Sequence, residues 1–143
     1  LSKGDDGLLF AYGPVMIHEA LLASELLAKK GFGLTVMNMP WLNRVDDAWL
    51  QSIIRPFAAL FVLDDHAPVG GLGDCLLNAC HRLGLLRRRN LAKLAVEGYP
   101  TCGTPPEALR FHQLDGASLA TRILDAARIA SAGGGEGVHA IDR

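Results

Sequence analysis

The chain has 143 residues, half of them hydrophobic, and its 14 basic residues nearly balance 15 acidic ones for a formal net charge of −1. That length suits one domain with a single core. The charge balance argues against nucleic acid as a partner, because such affinity rests largely on neutralising phosphates. No apolar run approaches the ~20 residues that cross a bilayer, so no membrane partner is assigned. No charged-then-apolar signal segment is read, and the start at Leu1, without an initiator methionine, reads as a piece of a longer chain. Cys75, Cys80 and Cys102 are odd in number and form no C-x-x-C pair, which points to reduced thiols and a cytoplasmic setting. Cys80 and His81 are sequence neighbours and diverge on a helix, so no metal site is assigned there.

Gly7 to Tyr12 is a short apolar run closed by Gly13-Pro14 and reads as a first buried strand. From Val15 to Lys30 the period becomes helical, with Ile17, Leu21, Leu22, Leu26 and Leu27 on one face. Lys29 and Lys30 suit the last turn, and Gly31 and Gly33 supply the stop. Leu34 to Met39 is a second strand, ended by Pro40. Asp46 is placed to cap a short helix over Asp47 to Ile54, which Pro56 blocks from continuing. Ala58 to Leu63 is a third strand, apolar on both faces as in a parallel strand covered by helices on two sides.

Leu72 to Leu83 follows as a helix ended by Gly84, then Leu91 to Val96 as a fourth strand. Gly98 to Pro106 reads as a loop, and Glu107 to Phe111 as a short turn of helix. Asp115 or Ser118 caps a last helix that runs to about Ala130. Residues 131–143 begin SAGGGEG, lack apolar anchors and read as a flexible tail after a domain at 1–130. Alternating strands and helices imply crossover connections. The expectation is an α/β three-layer sandwich with a mostly parallel sheet of four to five strands flanked by helices.

The stretch from Leu60 to Gly73 carries most of the functional information. A buried strand ends in Asp64, Asp65 and His66, and a glycine cluster, Gly70, Gly71 and Gly73, then opens a helix. In open α/β sheets, ligands and neighbouring domains meet the fold at such strand ends. Bare N–H groups at the helix start suit an anion. However, Leu76 stands where a dinucleotide fingerprint needs its third glycine, and a tight turn packing helix against sheet or another domain is the competing reading. His66 is the best single candidate for chemistry, with Asp64 or Asp65 to orient it; the alternative is a loop histidine bonded to backbone or to a neighbouring domain. No nucleophile stands nearby, and no Ser or Cys sits on a strand-to-helix elbow. Asp64 and Asp65 form a candidate ligand pair or, alternatively, cap loop amides. Arg82, Arg87, Arg88, Arg89 and Lys93 form a local basic run, either a phosphate surface or a solvated connection. Trp41, Trp49 and Phe57 read as core or interface anchors.

Four pieces in order resemble the C-terminal domain of the transketolase family. They are Gly4-Asp5-Asp6-Gly7 with LLFAYG and a long helix; Gly31-Phe32-Gly33 leading into LTVMNM; Asp64-Asp65-His66 with Gly70-Gly71-Leu72-Gly73; and Cys102-Gly103-Thr104-Pro105 with Leu109 and then Leu114-Asp115-Gly116. The resemblance covers nearly all of residues 1–130. Asn43-Arg44-Val45-Asp46 departs from the family's usual run before the short helix, and Asp64 stands where a glutamate is usual. The resemblance implies a structural, dimer-supporting domain of a thiamine-diphosphate-dependent, transketolase-like transferase, inactive alone, with thiamine diphosphate and magnesium held in the holoenzyme and none in this domain. It implies the pyrimidine-binding and diphosphate-binding domains as partners in a homodimer. Asp64, Asp65, His66, Gly70, Gly71 and Gly73 then form a loop at the active-site rim or interface, with a catalytic role for His66 as an extension. Alternatives are a β-subunit domain of a 2-oxoacid dehydrogenase and a free-standing nucleotide- or CoA-binding α/β module.

Overall fold

Local sequence alternates strands with helices as far as the fourth strand, after which two helices follow. The computed structural model describes residues 1–87 and 89–132. They form β1 (Gly7–Ala11), α1 (Pro14–Ala28), β2 (Leu34–Asn38), α2 (Asp47–Ile54), β3 (Ala59–Leu63), α3 (Leu72–Arg82), β4 (Asn90–Leu94), α4 (Pro105–Phe111) and α5 (Gly116–Ala132). β1 and β3 are buried at every position, as strands without a polar face must be in the middle of a covered sheet.

All four strands are parallel, in the order β2-β1-β3-β4, and this is the α/β sandwich read from the sequence. Gly7 lies opposite both Leu34 and Ala59, and Ala59 lies opposite Asn90. The chain leaves β1 toward β2, then crosses back to add β3 on β1's other side. The connections therefore diverge at the carboxyl ends of β1 and β3, the place where open α/β sheets take ligands.

The alternating side chains build two cores. Leu9, Ala11, Phe61 and Leu63 point to one face, where Met16, Ala20, Ala23 and Leu27 of α1 and Leu119, Ala120 and Ile123 of α5 cover them. Leu8, Phe10, Leu60 and Val62 point to the other, against Leu50 and Ile54 of α2 and Leu72, Leu76 and Ala79 of α3. Burying one such Leu or Phe stabilises the fold by ~1.5–3 kcal/mol, so these two layers dominate its energetics.

The caps follow local chemistry. Asp46 Oδ1 accepts from Trp49 N–H (2.7 Å) to start α2. Gly31, at φ 78°, turns the chain out of α1. Asp115, rather than Ser118, caps α5: its carboxylate accepts from Ser118 N–H (3.3 Å) and from the Ser118 hydroxyl. The N-terminal residues lie along β2, with the Leu1 ammonium donating to Val36 O (2.8 Å) and the Ser2 hydroxyl to Leu34 O (2.8 Å). That segment covers an otherwise open strand edge.

Some boundaries differ from the sequence reading. Pro105 and Pro106 open α4 instead of ending a loop, because a proline in the first helical turn forfeits no intrahelical bond; the Glu107 carboxylate accepts from Thr104 N–H (2.8 Å) to complete the start. Lys29 is the C-cap of α1 and not part of its last turn. α5 continues to Ala132, two residues beyond the expected end, and the remainder of the expected tail lies outside the described residues. Cys75, Cys80 and Cys102 are all free thiols, and burial pushes the Cys75 and Cys80 thiols above their ordinary range. No described helix is long and apolar enough to cross a membrane.

Candidate functional site: the strand-end loop of β3

The run Asp64-Asp65-His66 leaves β3 at the divergence point beside β1. Its backbone continues the pairing with β4: Asp64 N–H donates to Leu94 O (2.9 Å), and Val96 N–H donates to His66 O (2.9 Å). These two bonds tie the segment to the end of β4 as far as His66, while the chain bends at Asp65 and His66. Gly70, at φ 88°, then reverses the chain into α3.

The two acids have separate tasks. Asp64 is 1% exposed, and its two oxygens accept from Leu72 N–H and Gly73 N–H, each at 3.0 Å. It caps α3 with its charge set against the positive end of the helix. Asp65 is exposed and turns the other way, toward β1. The Tyr12 hydroxyl donates to Asp65 Oδ1 (2.8 Å), and Asp65 N–H donates in turn to the Tyr12 hydroxyl oxygen at 3.4 Å. Tyr12 is 8% exposed; burial, then the Asp65 bond, holds its phenol well above the usual tyrosine range.

His66 lies over the glycine turn. Its Nδ1 is 2.6 Å from Ala67 O, and since a carbonyl only accepts, the proton sits on Nδ1. Nε2 is 3.8 Å from Asp64 Oδ1, and the side chain is 42% exposed. A Cβ on Gly71 would fall 2.4 Å from His66 Cε1 and 2.6 Å from Asp64 Oδ1; one on Gly73 would fall 2.9 Å from Asp64 Oδ2. Gly71 and Gly73 are therefore demanded by the close approach of Asp64 and His66. The third donor of the turn, Gly70 N–H, gives its bond to Asp74 Oδ2 (2.6 Å). Asp74 also pairs with Lys93, whose ammonium donates to Pro68 O (2.9 Å), so the loop is strapped to β4.

This geometry weighs against a nucleotide reading of the turn. A diphosphate or nucleotide needs free N–H donors, and those of Gly70, Leu72 and Gly73 are all taken by the chain's own carboxylates. Asp6, in the Gly4–Gly7 segment, accepts from Gly33 N–H (2.6 Å) and serves to join β1 to the approach to β2. No three His, Cys, Asp or Glu side chains converge as a metal set among the described residues. These donors do not fit thiamine diphosphate or its magnesium.

Three members of the basic run are likewise engaged internally. Arg82 forms a two-pronged pair with Asp47 (2.7 and 2.8 Å). Arg89 donates to three carbonyls, those of Phe57 (2.9 Å), Leu85 (3.0 Å) and Arg55 (3.1 Å). Lys93 is held by Asp74, and Arg88 lies outside the described residues. Arg82, Arg89 and Lys93 are thus structural ties, whereas Arg87 stands exposed. Phe57 is buried, and Trp49 meets Phe10 edge-on with ring centroids 6.3 Å apart. Trp41, in contrast, is 62% exposed.

Two features escaped the sequence reading. Tyr12 read only as a strand end, and its polar tip beside Gly13-Pro14 was the sole clue. Besides Trp41, already read as a core or interface anchor, large apolar side chains also stand exposed after the carboxyl ends of the parallel strands: Val15 in the first turn of α1, Leu42 after β2, Val69 after β3 and Tyr99 after β4.

Comparison with known proteins gives a consistent result. The family described as "Transketolase, C-terminal domain" matches residues 1–119. A Methanocaldococcus jannaschii protein named "Putative transketolase C-terminal section" is 27% identical over 126 residues, covering 87% of this chain and 38% of that protein. The 1-deoxy-D-xylulose-5-phosphate synthase of Parasynechococcus marenigrum is 34% identical over 79 residues, covering 55% of this chain and 12% of the synthase. The chain thus spans well under half the length of these relatives. A solved structure described as "Split gene transketolase, inactive beta4 tetramer" superposes with a TM-score of 0.78 at 22% identity, over 90% of this chain and 41% of that one.

Proposed function

Because the chain belongs to the transketolase C-terminal domain family, we propose that it is the structural C-terminal domain of a thiamine-diphosphate-dependent, transketolase-like transferase and does not catalyse alone. It docks on the pyrimidine-binding and diphosphate-binding domains and supports a homodimer in the cytoplasm. The observation that carries this reading is the match over residues 1–119 to one domain of a multidomain enzyme family.

The site supports it. Both oxygens of Asp64 are committed to capping α3, and the Gly70, Leu72 and Gly73 amides of the glycine turn are satisfied internally. The strand-end loop formed by Asp64, Asp65, His66, Gly70, Gly71 and Gly73 is therefore built as a rigid surface, with Val69 76% exposed near its tip. Trp41 and Tyr99, 62% and 93% exposed, add aromatic anchors of the type that dominates interface energetics. His66 stays at the rim as an interface residue with one ring edge accessible. The named relatives, a transketolase section and a synthase, favour this reading over a 2-oxoacid dehydrogenase β subunit. The filled amides disfavour a nucleotide or CoA module.

The test is reconstitution. The purified chain is titrated with thiamine diphosphate and Mg²⁺ and assayed with xylulose 5-phosphate as donor, alone and mixed with the polypeptide bearing the two cofactor-binding domains. The expected result is no binding and no turnover alone, and a stable active complex on mixing. Ketol transfer or tight cofactor binding by the lone chain overturns the proposal.

A further inference from the structure

Three sets of contacts hold the Asp64–His66 segment. One is backbone pairing with β4 through Leu94 and Val96. The second is the cap of α3 through Leu72 N–H and Gly73 N–H. The third comes from the opposite side, where the Tyr12 hydroxyl reaches from the end of β1 to Asp65 Oδ1 (2.8 Å). The first two belong to the sheet and helix and would form around almost any side chain at residue 65. The third is separable: a phenylalanine at residue 12 would bury the same ring and lose only the hydroxyl.

We infer that Tyr12 is a positioning residue: its hydroxyl latches Asp65 to the end of β1 and so sets the direction in which Asp65 and His66 face the neighbouring domain of the assembled enzyme. This inference rests on the docking reading given above. The chemistry of the latch suits the task. Tyr12 is almost fully buried while Asp65 is exposed, so one end is fixed in the core and the other stands at the surface. Burial and the neighbouring carboxylate keep the phenol protonated, so it remains a donor throughout neutral and mildly alkaline pH. A hydrogen bond to a charged acceptor is among the stronger kinds, and here it also gathers Asp65 N–H at 3.4 Å.

The latch also defines what Asp65 offers. With Oδ1 on Tyr12, Asp65 Oδ2 takes no bond from any described residue. That oxygen is left to accept from an N–H donor or a cation on the facing surface. His66, its Nδ1 proton directed to Ala67 O, offers a second contact through its exposed ring.

The experiment compares wild type, Tyr12→Phe, Asp65→Ala, Asp65→Asn and the double variant Tyr12→Phe/Asp65→Ala. Affinity for the polypeptide bearing the pyrimidine- and diphosphate-binding domains is read by calorimetry. Thermal midpoints and the His66 ring NMR signals are read on the chain alone. Tyr12→Phe is expected to weaken assembly about tenfold, the scale of one charged hydrogen bond, and to shift the His66 ring signals. The double variant is expected to be no worse than Asp65→Ala, and Asp65→Asn, which keeps an acceptor for Tyr12, to restore the wild-type His66 signals. Wild-type assembly with Tyr12→Phe, or additive losses in the double variant, overturns the latch and leaves the docking reading standing. Failure of the wild-type chain to assemble overturns the docking reading instead, and unmoved His66 signals in Tyr12→Phe then overturn the latch as well.

Discussion

At the scale of single residues, the strand-end loop is a packing problem solved by glycine. Asp64 and His66 sit so close to the turn that residue 71 has no room for a methyl group, with the His66 ring 2.4 Å and Asp64 Oδ1 2.6 Å from where its Cβ would fall. Gly71→Ala is therefore expected to cost about 1–3 kcal/mol of stability in urea unfolding, the usual penalty for overpacking a site that cannot give way. A loss under a few tenths would show that the His66 ring simply swings out. Asp74 makes a separate, pH-dependent contribution. Its carboxyl is held below the usual carboxylate range, first by the Lys93 ammonium and then by Gly70 N–H. A carboxyl depressed in the folded state stabilises fully above its unfolded value and loses that contribution as pH falls through its folded one. Unfolding midpoints should thus decline below about pH 4. Asp74→Asn should flatten part of that decline, leaving the share due to Asp47 and Glu107, whose carboxyls are also depressed. Identical acid profiles for variant and wild type would show that the strap contributes nothing.

At the scale of elements, the end of α4 is under strain. His112 is its C-cap, and Gln113 follows at φ 55°, a conformation that glycine adopts freely and glutamine does not. The backbone closes as a Schellman turn, with Leu114 N–H donating to Leu109 O (2.8 Å) and Gln113 N–H to Arg110 O (3.1 Å). Gln113→Gly is expected to stabilise the chain by about 1 kcal/mol, read from the denaturation midpoint. A destabilised variant would mean that the Gln113 side chain has a role that its backbone strain conceals. The start of α5 shows the opposite fit. Gly116 N–H donates to Glu19 Oε2 of α1 (2.6 Å), and a Cβ there would fall 2.7 Å from Leu22 Cβ. Glycine here brings two helices together, which accounts for the Leu-Asp-Gly motif noted in the sequence.

At the scale of the whole molecule, the two cores are closed while the carboxyl end of the sheet carries apolar groups in the open. Replacing Trp41, Val69 and Tyr99 by serine should change stability little, since exposed positions shift it by no more than about 0.5 kcal/mol each. The same triple variant should fail to join the cofactor-binding polypeptide in sedimentation velocity. Undiminished assembly would place the interface elsewhere, the groove between α1 and α4 that holds Leu22, Leu26 and Leu109 being the next face to examine.

The amino-acid sequence by itself determined the α/β class, the order of the elements and the motifs that resemble the transketolase family. Apolar periodicity, prolines and helix caps act over a few residues and can be read locally, as Asp46 before α2 and Gly31 after α1 illustrate. It also picked out the Asp64–Gly73 loop, but not the task of each group. That Asp64 fills the helix amides, that Asp65 turns to Tyr12 53 positions away, and that Glu19 meets Gly116 97 positions away were decided only by the tertiary structure. The Tyr12–Asp65 pair exists because the sheet runs β2-β1-β3-β4 and so sets β1 beside β3. Strand order is a property of the packed chain, in which the two buried faces select one arrangement, and no local run of residues encodes it.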